Sequence, residues 1–241
     1  MRDIYMRFAV MLISAHQPAY IPWLGYFEKI VQADVFVFLD TVQFEKNGFI
    51  NRNKVKAPQG PQWLTIPVKT KGHIKATLHE TLIDDTQPWR VNHLKTIESH
   101  YRRATHFKEC FPKLEALLLN PEANLAELCW QQLQFWLTEF EVETPVYRSS
   151  DLPVASKKSD LVLDLCKYFG ATCYLSGALG RNYLNEESFA AAGIEVGYQD
   201  FLPLAYPQLW GPFEPNMGIV DVWMNCGSDT RNLLNGRRHG I

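Results

Sequence analysis

The sequence predicts an α/β protein with a parallel, Rossmann-like sheet at its centre. Three observations carry that expectation. The apolar stretch "MLISA" (11–15) is followed by a helical stripe and then by "VFVFL" (35–39), five β-favouring residues in a row. The last third of the chain returns to the same alternation, with "ATCYL" (171–175) and "IEVGYQDF" (194–201) separated by helical patterns. Strands that are apolar on both faces belong to parallel sheets, where helices cover each side. A strand, helix and strand in close succession make a βαβ unit with a right-handed crossover.

The elements follow in order. Residues 1–10 show no regular period and are expected to be a loosely held extension ahead of a more natural start at Met11, leaving 11–241 as a single α/β domain. Trp23, Tyr26, Phe27, Ile30 and Val31 fall at i, i+3, i+4, i+7 and i+8, the apolar stripe of a helix reaching Ala33. Pro22 suits the first turn, where a missing N–H costs nothing. The Asn- and Lys-rich segment "TVQFEKNGFINRNKVK" (41–56) reads as a loop and short hairpin, and "QWLTIPVK" (62–69) as an edge strand because of Pro67. A helical stretch over 86–119 is expected to break around "HFKECFP", and Asn124 to cap a helix running to Phe140. Residues 86–142 thus form an expected helical insertion or subdomain. Beyond it, Ser159 is expected to cap a helix closed by Gly170, and "NEESFAAAG" to form a short helix closed by Gly193. Asn216 to Cys226 completes the helical set, with Ser228 as the cap of a further short one.

Composition narrows the function classes. Of 241 residues 46% are hydrophobic and 21% charged, ordinary values for a globular chain. With 24 basic and 26 acidic residues the net charge is −2, which argues against nucleic acid as a partner. The five cysteines are dispersed with no CxxC pair, as suits a reducing compartment, and a cytoplasmic location is expected. "FAVMLISA" is too short to cross a membrane and runs into His16 without a cleavage site, so an integral membrane protein is not expected. His73, His79, His93, His100 and His106 are scattered without an HExxH or cysteine partner, which points away from a metal site. No cofactor is singled out, and the sequence leaves a homodimer open.

The chemistry-bearing residues gather near the expected carboxyl edge of the sheet, where α/β proteins bind ligands. His16 follows the first strand and Asp40 the second. An imidazole is the usual general acid or base near neutral pH, and the carboxylate is placed to orient it or hold a substrate hydroxyl. The bland alternative is a histidine bonded to a backbone carbonyl and an aspartate capping a turn. Between 46 and 56 stand four cations and no acid. Lys46, Asn47, Asn51, Arg52, Asn53, Lys54 and Lys56 there offer donors to a phosphate, against the alternative of a solvated hairpin. Gln17, Tyr20 and Gln43 border the same loops, and Tyr20 and Trp63 lie in irregular sequence suited to stacking. "SGALGRNY" (176–183) adds Ser176, Gly177, Arg181 and Tyr183, an anion cradle or simply a tight turn, without GxGxxG or P-loop spacing.

"HQPAYIPWLGYFEKI" with "ADVFVFLDTVQFEKNGFINRNKVK", and later "YLSGALGRNYLNEESFAAAGIEVGYQDF" and "GPFEPNMGIVDVWMNCG", resemble the blocks of the WbqC-like protein family. The resemblance covers about 11–235 and implies a setting in O-antigen or other surface-polysaccharide assembly, without a settled reaction. The residues suit a group transferase, acyl- or amide-forming, acting on a phosphate-bearing small molecule such as a nucleotide-linked amino sugar. In that reading His16 takes the proton of the attacking amine while Lys46, Arg52 and Lys54 hold the diphosphate. Two alternatives stay open: a nucleotidyltransferase or adenylate-forming ligase, and a non-catalytic ligand-binding or scaffold protein of the same pathway.

Overall fold

The computed structural model describes residues 10–46, 48–69 and 76–235, so residues 1–9 of the expected extension, Asn47 and His73 fall outside it. Strand β1 (Leu12–His16), helix α1 (Leu24–Gln32) and strand β2 (Val35–Phe38) form the expected βαβ unit. The two strands pair in parallel, with His16 opposite Phe38. Strands β3 (Arg52–Ala57) and β4 (Gly60–Thr65) make an antiparallel hairpin that is a sheet of its own, with Lys54 opposite Trp63. Pro67 therefore lies beyond the strand rather than within an edge strand.

The middle of the chain supplies α2 (Trp89–Tyr101), α3 (Phe107–Leu119) and α4 (Leu125–Glu139). The break falls at 102–106, earlier than the sequence suggested, and α3 carries Pro112 inside it. Asn124 caps α4 as expected, its side-chain oxygen accepting from the Glu127 N–H at 3.0 Å. Strand β5 (Val146–Arg148) was not anticipated, being three residues long and without a readable period. The chain closes with α5 (Lys158–Tyr168), β6 (Cys173–Ser176), α6 (Glu186–Ala191), β7 (Glu195–Tyr198), α7 (Ile219–Cys226) and α8 (Thr230–Asn235). Ser159 does not cap α5: Lys157 holds that position, and the Ser159 hydroxyl accepts from the Asn185 N–H. Ser228 likewise sits inside a 3₁₀ turn, Gly227–Asp229, ahead of α8.

The five parallel strands run in the order β5-β2-β1-β6-β7. Alternation along β2 shows the layering. Phe36 and Phe38 join a core with α1, α2, α3, α4, α7 and the hairpin, while Val35 and Val37 join α5 and α6 on the opposite face. Among the described residues no helix is long and apolar enough to cross a membrane.

Two polar networks fix the loops at the carboxyl edge. Buried Asp221 on α7 accepts hydrogen bonds from Tyr101 (2.6 Å), Tyr206 (2.8 Å) and Gln208 (2.8 Å). Burial pushes its carboxyl up, against the pull of those three donors. Lys56 is buried in the same network, donating to Gln208 and to the Pro212 carbonyl. The second network bolts down the stretch after β1. Asn53 donates to the carbonyls of Tyr20 (3.2 Å) and Ile21 (2.8 Å), and Gln132 accepts from the Ile21 N–H (3.2 Å). Ile21 is thereby held at φ 37°, a left-handed conformation that a β-branched residue adopts only under constraint.

Tyr20 is 0% exposed, and its hydroxyl bonds His93 Nδ1 at 2.8 Å. Burial lowers the His93 pKa to about 4, although a hydrogen bond to the Thr65 carbonyl raises it. Because the unfolded imidazole titrates near 6.5, acidification protonates the unfolded chain first. Stability is therefore lost as pH falls from 6.5 toward 4, by roughly 3 kcal/mol from this residue. Urea midpoints at pH 7 and pH 4.5 should fall further apart in the wild type than in His93→Gln, and equal separations would remove His93 as a cause.

Candidate functional site

The order of strands places the topological switch point between β1 and β6, since the chain leaves β1 toward β2 and returns on its other side. The ladder from β1 to β6 ends at Ser14 opposite Leu175, whereas the ladder from β1 to β2 continues to His16 opposite Phe38. The strands thus part at the carboxyl edge, between His16 and Ser176–Gly177. Lys29 of α1 occupies the parting. Its ammonium donates to the Ala15 carbonyl at 2.8 Å, and a Cβ on Gly177 would stand 3.8 Å from Nζ.

Lys29 is 2% exposed, and no carboxylate pairs with it among the described residues. Burial pulls its pKa down to about 7, so a cation held there is only weakly favoured. Beside it, half-buried His16 is held down to about 3, first by burial and then by the nearby Lys29 charge, against the opposing pull of the Gln17 carbonyl. His16 Nδ1 bonds that carbonyl at 2.9 Å. A carbonyl only accepts, so Nδ1 carries the hydrogen and Nε2 keeps its lone pair.

Aromatic contacts lead from this imidazole to the cationic hairpin. His16 meets Trp23 edge-on at 5.6 Å, Trp23 meets Phe49 at 5.3 Å, and Phe49 meets Trp63 at 5.6 Å. Over Trp63 lie the Arg52 guanidinium at 4.3 Å and the Lys54 ammonium at 5.5 Å. The structure therefore sets His16 and Gln17, at the end of β1, across from Ser176 and Gly177, at the end of β6, and links the imidazole to Arg52 and Lys54 through three rings.

Other expected site residues are placed differently. Asp40 is 0% exposed and does not bond His16. Its Oδ1 accepts from the Ser149 hydroxyl (2.9 Å) and the Ser150 N–H (2.9 Å), and its Oδ2 from the Ser150 hydroxyl (2.7 Å) and Arg148 (3.0 Å). Burial would raise this carboxyl, but the four donors hold it below the ordinary carboxylate range. Tyr20 is no stacking platform, since it is sealed against His93 in the core. Asn51 is buried and spends its amide on the Ile66 carbonyl at 2.8 Å. Gln43 and Lys46 are exposed on the loop after β2, and Asn47 lies outside the described residues. Ser176 is buried beneath its own turn, where a Cβ on Gly180 would stand 1.9 Å from its hydroxyl oxygen. Arg181 lies over the Tyr198 ring at 3.9 Å, and Tyr183 is exposed nearby. No group of three metal-ligating side chains occurs among the described residues.

Lys29, Trp23 and Phe49 are the members of the site that sequence reasoning missed. One signal was present. Gly25 lies one turn before Lys29, and a Cβ there would stand 2.7 Å from the Phe201 ring, so a glycine inside this helix marks a crowded face.

The fold defines an α/β protein whose five-stranded parallel sheet is covered on both faces, with its topological switch point between β1 and β6. The chain belongs to the WbqC-like protein family, whose model matches residues 17–233. It is also similar to the uncharacterized protein Rv1507c of Mycobacterium tuberculosis (strain ATCC 25618 / H37Rv), with 36% identity over 229 residues, covering 92% of this chain and 96% of that protein. No solved structure matches the chain.

Proposed function

We propose that the protein is a group transferase, acyl- or amide-forming, that acts on a phosphate-bearing small molecule such as a nucleotide-linked amino sugar in surface-polysaccharide assembly. The observation that carries the reading is the pair at the switch point: a buried lysine with no acid partner among the described residues, beside an imidazole whose Nε2 keeps its lone pair. Lysine is almost never buried unless paired, and a group kept there against its solvation suits a task. In amide formation the attacking amine gives a proton to His16 Nε2 as the C–N bond forms. The oxygen of the activated donor's carbonyl gains negative charge at the same moment, and the Lys29 ammonium is suited to hold it. As the carbonyl re-forms, the bond to the donor's leaving group breaks, and that group departs with the proton returned by His16. Arg52 and Lys54 hold the diphosphate. An anionic substrate raises the pKa of both His16 and Lys29, so the pair gains proton affinity only when substrate is bound.

The test is product formation. The protein is incubated with nucleotide-linked amino sugars and activated acyl donors, and the sugar is weighed by mass spectrometry. The expected result is a mass gain in the wild type and none with His16→Ala, which still binds the sugar nucleotide. Full turnover by His16→Ala would overturn the role of the imidazole. Tight binding with no product from any donor would favour a protein that only holds its ligand.

A further inference from the structure

Beside the two cations assigned to the diphosphate, the outer face of the hairpin carries two exposed rings for which the transfer step has no use. Arg52 and Lys54 alternate along β3 with the core-facing Asn51, Asn53 and Val55, and Trp63 lies across from Lys54 on β4. Trp63 is 41% exposed and Phe49 39%, although both are large rings in contact with one another. Two adjacent exposed rings with two cations over one of them are an unusual surface. A solvated hairpin has no need of the rings, and a core has no place for the cations.

From these contacts we infer that the hairpin face is the nucleoside-diphosphate subsite of the proposed transferase. The base stacks on the exposed part of the Trp63–Phe49 pair, and the diphosphate bonds Arg52 and Lys54. Aromatic rings give every base a partner irrespective of its hydrogen-bonding pattern, and an arginine fork matches phosphate oxygens. No carboxylate pairs with Lys54 among the described residues, so its charge is open to a ligand. Continuity supplies the orientation. The contacts run from Trp63 through Phe49 and Trp23 to His16 in steps of 5.3 to 5.6 Å, so a ligand anchored at the hairpin extends its sugar toward the imidazole. The handle is held on the hairpin, and the parting between β1 and β6 is left for the reacting atoms.

This subsite deepens the proposed transferase reading and rests on it for the direction of the ligand. Calorimetric titration tests it with the diphosphates of uridine, thymidine, adenosine and guanosine, and with inorganic diphosphate. At least one nucleoside diphosphate is expected to bind the wild type more tightly than inorganic diphosphate does. Trp63→Ala should weaken that nucleotide at least tenfold and leave inorganic diphosphate unchanged, Trp63→Phe should restore most of the loss, and Arg52→Gln should weaken both ligands. Rescue by Phe separates stacking from any effect on folding. Nucleotide binding that survives Trp63→Ala, or no preference for a nucleotide over inorganic diphosphate, overturns the subsite. Binding lost in Lys29→Met but kept in Trp63→Ala also overturns it, by placing the diphosphate at the switch point, and spares the transferase reading. Trp63-dependent binding with no product from any acyl donor does the reverse.

Discussion

Replacing Lys29 by Met is expected to stabilise the fold and to slow product formation sharply. The drop in its pKa from 10.5 to about 7 corresponds to roughly 5 kcal/mol for keeping the cation inside the folded protein. Met fills a similar volume without charge, but it leaves the Ala15 carbonyl without its donor, at about 1–3 kcal/mol. The variant should therefore exceed the wild type by about 2–4 kcal/mol at pH 6. The sign with pH follows from proton counting. Below pH 7 both states hold the proton and the penalty is complete; between about 7 and 10.5 the unfolded chain keeps a proton that the folded chain has released. Stability of the wild type relative to the variant then rises through that window, and the difference should vanish or reverse by about pH 9.5. Urea denaturation of both proteins across pH 6–9.5 measures it, and a difference that does not change with pH would show that Lys29 is not a buried cation. Product formation should fall by about 10²–10³, the usual loss when a donor to a developing oxyanion is removed.

Asp40→Ala should cost about 3–5 kcal/mol, among the largest effects of a single change in this protein. The carboxylate takes four hydrogen bonds that tie the end of β2 to the segment after β5. Its removal leaves the Arg148 guanidinium, with 17% of its side chain exposed, to Glu127 and the Trp130 ring 5.5 Å away, and leaves the two serines to find other partners. Because the folded carboxyl lies below its ordinary range, its contribution is present above about pH 4 and is lost as pH falls through the folded value. The stability difference between wild type and Asp40→Asn should therefore shrink below pH 4. Folded Asp40→Asn protein is expected to turn over at near the wild-type rate. Loss of turnover in that folded protein would make the carboxylate a partner of His16 after all.

The sequence made parts of this fold legible for local reasons. The βαβ opening was readable because β2 is apolar on both faces and α1 keeps a strict stripe, and Asn124 was readable because a side-chain cap acts within one turn. Strand β5 escaped because three residues after Pro145 carry no period, and its place is set by pairing with β2. At the site the same division holds. His16 and the Arg52/Lys54 run could be found from position alone. Tyr20 and Asn51 could not be told from ligand-binding residues, because the groups that consume their hydrogen bonds, His93 and Ile66, come from other parts of the chain. Lys29 looked like an ordinary solvated residue near a helix end. Only the early end of the ladder between β1 and β6 turns it inward.

The place of β1 in the middle of the sheet bears on how the chain is made. Its partner β6 ends at Ser176, near the last quarter of the sequence, so a nascent polypeptide emerging from the ribosome exposes one side of β1 until most of synthesis is over. During that interval an apolar strand has an open edge, the condition under which chains pair with one another. Fragments that stop before 173 should therefore be recovered as aggregates, and the chain is expected to need a holding chaperone during translation rather than after it.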